Sequence, residues 1–168
     1  MGDIEDLIGI DPGVGVDYFD PREFEIRERT EDGHYWHVHR CAIVQRLVGE
    51  VSPDRSGRLI DLGCGTGKVA THLNQHGWHV DYADIHREGL AVARRRAEAQ
   101  LGPRTGDRRF IRLDITRQAP PGRYQGALLL DVLEHLPDDV AVLRNVHGAL
   151  PADGAPASRP FVVFTVPA

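Results

Sequence analysis

The stretch Leu59-Ile60-Asp61-Leu62-Gly63-Cys64-Gly65-Thr66-Gly67 carries the densest chemical signal in the chain. Three apolar residues enclose Asp61, glycines follow at alternate positions, and helix-like sequence lies behind them. Such a run reads as strand, tight turn and helix N-terminus. Glycine has no Cβ, so backbone N–H groups there can approach a ligand closely. The chemistry this suits is binding of a nucleotide-type cofactor. Acidic residues then follow at intervals: Asp84, Asp114 and Asp131, the last leading into Glu134 and His135.

Two phosphate-binding spacings fail on this loop. The dinucleotide fingerprint G-x-G-x-x-G, counted from Gly63, puts Lys68 where the third glycine belongs. The P-loop G-x-x-x-x-G-K-[ST] fits at Gly67-Lys68 but finds Leu62 at its first glycine and Val69 at its hydroxyl position. What remains is G-x-G-x-G preceded by an acidic residue near the end of a strand.

The elements that must position these residues follow from periodicity and punctuation. Residues 1 to about 20 are rich in Gly, Pro and Asp without periodicity. We read a loose N-terminal arm over 1–32 and a folded domain over 33–168. Apolar positions recur at helical spacing from about His34 to Val51, and Ser52-Pro53-Asp54 ends that helix. Strands are expected at about 58–62, 78–83, 109–113, 126–130 and 161–166. Helices are expected at about 67–76, closed by Gly77, at 87–101, closed by Gly102-Pro103, and at 137–150, with Pro137 in the first turn. Gly126 to Leu130 is a continuous apolar run, the mark of a strand buried on both faces. Strands alternating with helices imply an α/β, doubly wound, mostly parallel sheet of about five strands. Ligands of such sheets bind beyond the strand C-terminal ends at the switch point. Pro151 to Pro160 reads as a mobile connector.

Composition narrows the class. The 168 residues suit one domain, with 41% hydrophobic and 27% charged residues, ordinary values for a soluble globular protein. No apolar run approaches the ~20 residues needed to span a bilayer. The acidic N-terminus lacks a signal-peptide pattern, and two cysteines, Cys41 and Cys64, are too few for a disulfide framework. A cytoplasmic setting is expected. The net charge of −5 argues against a dedicated nucleic-acid binder. Arginines crowd residues 87–117, read as a solvated helix face with its neighbours, or as a patch for an anionic substrate. Lys68 is the only lysine against nineteen arginines, which with abundant Ala, Gly and Pro suggests a GC-rich genome.

The glycine loop resembles motif I of class I S-adenosylmethionine-dependent methyltransferases, and the resemblance extends in family order over about residues 58–168. Tyr82-Ala83-Asp84-Ile85 looks like the family's second strand end, and Arg112-Leu113-Asp114-Ile115 like the acidic motif after strand three. Leu129 to Leu136 looks like the fourth-strand motif, and Phe161 to Pro167 like strand five. The resemblance implies a Rossmann-like fold and S-adenosyl-L-methionine as cofactor. It implies that Asp61, Gly63, Cys64, Gly65 and Gly67 form the loop, with Asp61 helping to hold the ammonium group. Asp84 would accept from the ribose hydroxyls and Asp114 from the adenine amine, and Ile85 and Ile115 would sandwich the ring. Asp131, at the end of the fourth strand, would lie beside the methyl group. Acidic residues suit a ligand bearing a sulfonium cation. Each has a plainer alternative: a turn at Asp61, an N-cap at Asp84, an Asx turn at Asp114. Cys64 reads as a small residue that fits the loop.

On the acceptor side, His135 and Glu134 are the candidate catalytic residues, His135 as general base. Asp-x-x-Glu-His also resembles a metal-binding pattern in some branches of the family, although Asp131 departs from the more usual glutamate. We expect no metal there. His34, His37 and His39 make a poor zinc site, lacking paired cysteines and a common face. Their run, Gly33 to Arg40, instead resembles a motif in small-molecule methyltransferases whose helix lids the cofactor pocket. Arg40 would then meet the cofactor carboxylate or form a surface ion pair.

Members of this family usually continue past strand five with a helix and an antiparallel strand pair, so truncation at the C-terminus is expected. A homodimer mate or other partner would then cover the sheet edge. The expected activity is methyl transfer to O or N of a small-molecule acceptor. The alternatives are a cofactor-binding module without turnover and, disfavoured by loop spacing, a nicotinamide-dependent oxidoreductase.

Overall fold

The computed structural model of the chain describes residues 4–9, 20–102, 108–151 and 159–167. Strand β1 (Glu5–Asp6) and helix α1 (Pro21–Thr30) precede helix α2 (Tyr35–Val51). Then come β2 (Arg58–Leu62), α3 (Lys68–Gln75), β3 (His79–Asp84), α4 (Arg87–Leu101), β4 (Phe110–Arg112) and β5 (Gly126–Leu130). A short 3-10 turn at Leu133–His135, helix α5 (Asp139–Ala149) and strand β6 (Phe161–Thr165) follow.

The strands form one sheet in the order β1-β4-β3-β2-β5-β6, and every adjacent pair is parallel. From β2 the chain winds outward through β3 and β4, then returns to place β5 on the other side of β2. The switch point therefore lies between β2 and β5, where open α/β sheets bind ligands beyond the strand C-terminal ends. The doubly wound α/β architecture is the one read from the sequence, with six strands among the described residues instead of about five.

Period-2 alternation divides the core between the two faces of the sheet. Leu59 of β2, Val80 and Tyr82 of β3 and Leu128 of β5 pack with Val44, Val48, Leu73, Leu90 and Ala93 from α2, α3 and α4. Ile60, Leu62, Ala83, Ile111 and Leu129 pack on the opposite face with Val142, Val146 and Ala149 of α5. All of β5 is buried, as its apolar run requires. Each fully buried Leu, Ile or Val contributes about 1.5–3 kcal/mol.

Three boundaries depart from expectation: β1, α1 and the start of α5. The N-terminal arm contains a strand and a helix. β1 is only two residues long, too short for periodicity, and is held by tertiary contacts: Arg109 donates twice to Glu5 from Nη2, at 3.0 and 2.8 Å, and Leu7 N–H reaches the Arg112 carbonyl at 3.0 Å. α1 is mostly charged, and Phe24 is its one buried apolar anchor, at 4% exposure. Pro137 lies outside α5. Asp138 is the N-cap, its side chain accepting from Ala141 N–H at 2.8 Å. The connector read at 151–160 lies largely outside the described residues, as does much of the arm between residues 10 and 19. No helix among the described residues is long and apolar enough to cross a membrane.

Candidate functional site

The glycine loop joins the C-terminal end of β2 to the N-terminus of α3. Gly63, Gly65 and Gly67 all have positive φ, at 75°, 53° and 69°. Two of them are tight for a second reason: a Cβ on Gly63 would stand 2.5 Å from Val132 Cγ2, and one on Gly67 would stand 2.6 Å from Ala93 Cβ. Gly65 differs, because a Cβ there would meet nothing within 4 Å. It faces open space, the arrangement a ligand needs for close approach to the backbone.

The loop's N–H groups are largely spent inside the protein. Gly63 and Cys64 N–H both donate to the Ala83 carbonyl, at 2.8 and 3.0 Å, and Gly67 N–H donates to the Cys64 carbonyl at 2.8 Å. Gly65 N–H donates to Asp84 Oδ2 at 2.8 Å. The loop is thus pinned to the end of β3, and its contribution to the site is shape more than free donors. The other Asp84 oxygen accepts from His86 N–H at 2.8 Å. Asp84 is not the N-cap of α4, a position held by His86.

A cleft opens over this loop in two parts. One, about 260 Å³, is lined by Asp61, Gly63, Cys64, Gly65, Asp84 and Asp131 from the sheet ends, and by Phe24, Glu31, His37 and Arg40 from above. The other, about 360 Å³, is mostly apolar, lined by Ile85, Leu113, Ile115, Val132 and Leu136, with Asp114 at its wall. Gly63, Asp84, His86, Asp131 and His135 border both parts. The expected residues therefore converge, except that Gly67 packs inward and Glu134 lines neither part.

Electrostatics separate the parts. Asp61 is 3% exposed and follows Leu59 on the helix-covered face of β2. Burial pushes its carboxyl up to about 7, with the charge of Asp84 adding to the rise, while Arg40 and the Ala70 N–H pull the other way. Burial also raises Asp84, against the pull of the His86 and Gly65 N–H groups. Burial beside these two acids pushes the Cys64 thiol well above its usual range, so it stays neutral. Two destabilised carboxylates in one cavity favour a cationic ligand. Asp114 is engaged locally as an Asx turn: its Oδ1 accepts from Thr116 N–H at 3.0 Å and from Thr116 Oγ1 at 2.6 Å, and its Oδ2 faces Arg117 Nε at 3.2 Å.

At the end of β5, Asp131 has φ +56°, a left-handed conformation rare outside glycine. Its neighbours hold it there. Thr165 Oγ1 donates to its Oδ1 at 2.6 Å, its N–H reaches the Thr165 carbonyl at 3.1 Å, and Arg40 Nη1 pairs with its Oδ2 at 2.9 Å. Arg40 thus spans from α2 to the sheet, and with His37 it brings α2 to the wall of the cleft. His135 is exposed at the rim, its Nε2 4.0 Å from Glu134 Oε1. Among the described residues no group of three or more His, Cys, Asp or Glu side chains is arranged to hold a metal ion.

Sequence reasoning missed the other half of the cover. Phe24, Arg27 and Glu31, from α1 and the turn after it, line the cleft. The crowded arginines are neither a bare solvated face nor a free anion patch: Arg96 is buried at 5% exposure, and Arg87, Arg94, Arg95, Arg109, Arg112 and Arg117 pair with carboxylates. Two of these pairs are local, Arg94 with Glu98 and Arg117 with Asp114; the partners of Arg96, Glu31 and Asp32, lie far away in the sequence, just ahead of α2.

Fold and cleft define an α/β domain built to hold a nucleotide-type ligand at its switch point. A methyltransferase domain family matches residues 60–155, more than half the chain, and the chain belongs to that family. It is 26% identical over 141 residues to a ubiquinone biosynthesis O-methyltransferase from Bordetella pertussis, covering 79% of this chain and 56% of that protein. It is 33% identical over 98 residues to the Aeromonas salmonicida protein of that name, covering 55% of this chain and 40% of that one. The chain therefore spans about half the length of these relatives. Among solved structures, the magnesium protoporphyrin IX methyltransferase of Synechocystis with bound SAH superposes with a TM-score of 0.64 at 24% identity, covering 80% of this chain and 65% of that one. A Pyrococcus horikoshii protein gives 0.66 at 19%, covering 88% and 66%. At these identities the structures share the fold.

Proposed function

We propose that the chain is an S-adenosylmethionine-dependent methyltransferase domain that transfers a methyl group to an oxygen or nitrogen of a small-molecule acceptor. The observation that carries this reading is the two-part cleft at the β2–β5 switch point, one part floored by the buried carboxylates of Asp61 and Asp84 and the other mostly apolar. That division matches a ligand with a cationic amino-acid arm and a flat, weakly polar ring. The donor set fits. Asp61 would face the ammonium group, Asp84 the ribose hydroxyls, and Asp114, through lone pairs its Asx turn leaves over, the adenine amine. Ile85 and Ile115 would flank the ring, and the open face of Gly65 admits the ligand to the loop. When bound, S-adenosylmethionine supplies an activated methyl group on a sulfonium.

The chain's own residues have three tasks in that reaction. The acids stabilise positive charge in a cavity that water reaches poorly. α1 and α2 cover the cleft and exclude water, so that positioning supplies most of the rate. His135, at the rim beside Asp131, would accept a proton from the acceptor hydroxyl or ammonium through an imidazole nitrogen, while Glu134, 4.0 Å from that ring, would orient it. The similarity to O-methyltransferases of ubiquinone biosynthesis supports an oxygen acceptor.

Titration calorimetry of the folded chain with S-adenosylmethionine and separately with NAD tests the cofactor. Binding of the first alone is expected, and binding of NAD alone would overturn the reading. Methyl transfer to a panel of phenols, sugars and amines then tests turnover. Binding without transfer to any acceptor would leave a cofactor-binding module.

A further inference from the structure

Five polar side chains at the junction of α1, the glycine loop and α4 take no part in the chemistry above, yet they are tied together densely. Arg96 projects from α4 and is 3% exposed at its side chain. It spends each guanidinium nitrogen on a different partner: Nε on the Thr66 carbonyl at 3.2 Å, Nη1 on Asp32 Oδ1 at 2.7 Å and Nη2 on Glu31 Oε2 at 3.0 Å. The same Glu31 oxygen accepts from Thr66 Oγ1 at 2.6 Å. Lys68 Nζ donates to the Glu31 carbonyl at 2.6 Å and to Asp32 Oδ1 at 2.9 Å.

We propose that Arg96 is a positioning residue that ties the helical cover of the cleft to the glycine loop, with Glu31, Asp32, Thr66 and Lys68 completing the tie. The partners come from three elements. Glu31 and Asp32 form the turn between the two covering helices, Thr66 and Lys68 belong to the loop and the first turn of α3, and Arg96 is the rigid post between them. Glu31, Thr66 and Lys68 all line the acidic part of the cleft. Thr66 lies between Gly65 and Gly67, both in left-handed conformations, so holding its carbonyl and its hydroxyl sets the orientation of the loop. Only a planar fork with donors on three nitrogens can hold these partners at once; a lysine offers donors at a single point. The cover and the loop therefore move as one body, and a ligand beneath them leaves only when the tie opens.

The statement about ligand exit rests on the functional reading above; the coupling of cover and loop does not. Hydrogen exchange on the ligand-free chain tests the coupling. In Arg96→Lys and Glu31→Gln, amides of residues 20–34 and of residues 63–68 are expected to exchange faster together, while those of β2 and β5 keep wild-type protection. Faster exchange in one segment with no change in the other overturns the tie. Because the buried variants can fail to fold, Asp32→Asn and Lys68→Gln serve as the second pair, at partners nearer solvent, and the same joint change is expected at smaller size. With S-adenosylmethionine as probe, the variants are expected to bind about tenfold more weakly through faster dissociation, which appears as a raised KM with kcat largely retained. Unchanged affinity in variants of a binding wild type overturns the positioning role. If the wild type binds no S-adenosylmethionine, the functional reading falls and the exchange result alone decides the tie.

Discussion

At the scale of single residues, Asp61 and His135 stand at opposite extremes of burial, and each makes a separable prediction. Asp61 sits near 7 because burial disfavours its charge. A cationic ligand favours that charge, so binding releases a proton at pH values below about 7. Affinity for S-adenosylmethionine is therefore expected to rise with pH toward neutrality and level off above it, and Asp61→Asn is expected to weaken binding and flatten the profile. Calorimetry in buffers of different ionisation enthalpy measures the proton count directly. A wild-type profile flat from pH 6 to 8 would remove Asp61 as the cation's partner. His135 is exposed and touches the acid pocket only at its rim. His135→Ala is expected to lower kcat by about 10²–10⁴-fold if the imidazole takes the acceptor's proton, with little change in KM for the methyl donor. Steady-state kinetics varying each substrate in turn separates that result from a general loss of structure.

At the scale of elements, the turn between β2 and α3 concentrates the cost of substitution. Gly63 and Gly67 combine positive φ with close neighbours, Val132 for one and Ala93 and Tyr82 for the other. Alanine at Gly67 is expected to destabilise the fold by about 1–3 kcal/mol, from the left-handed strain and the displaced Ala93 contact together. Alanine at Gly65 incurs the strain without the clash, so its stability loss should be the smaller. Its cost should instead fall on ligand affinity, because the new Cβ projects where the backbone is open. Chemical denaturation and calorimetry on the two variants give opposite rankings if this division of labour is right, and the same ranking if it is wrong.

For the molecule as a whole, the raised carboxyl of Asp61 has a thermodynamic consequence. Its value in the folded chain, about 7, lies above the 3.8 of an ordinary aspartate, so the folded state holds more protons than the unfolded state between those pH values. The ligand-free chain is therefore expected to lose stability as pH rises from about 4 to about 7, as far as this group is concerned. A bound cation would offset that loss. At one hundred times its Kd, S-adenosylmethionine should add about 2.7 kcal/mol, a rise in Tm of about 5–10 °C for a domain of this size. A thermal shift that is the same at pH 5 and pH 7.5, at one fixed concentration of S-adenosylmethionine, would contradict the linkage.

The parts legible in the sequence were those written in local pattern. Alternation of apolar runs with helical periodicity determined the doubly wound sheet. The residues at strand ends, Asp61, Asp84, Ile85, Asp114, Ile115 and Asp131, could be placed around one cleft because parallel strands deliver all their C-terminal ends to the same side. Local chemistry beyond pattern was ambiguous even there: Asp114 closes an Asx turn and also lines the wall, and both readings of it are compatible with one geometry. Only the tertiary structure decided the cover. α1 presents one buried apolar residue, Phe24, and no stripe, so no periodicity announced it. β1 is two residues long. Arg96 is chemically indistinguishable in sequence from Arg94 and Arg95, and it is buried because helical geometry turns it, alone of the three, toward Glu31 and Thr66. Patterns of hydrophobicity determine which surfaces must be hidden, and they act over a few residues. Polar contacts between residues 30 to 65 positions apart, as of Arg96 with the Thr66 carbonyl or the Glu31 carboxylate, leave no local trace and exist only once the chain has closed on itself.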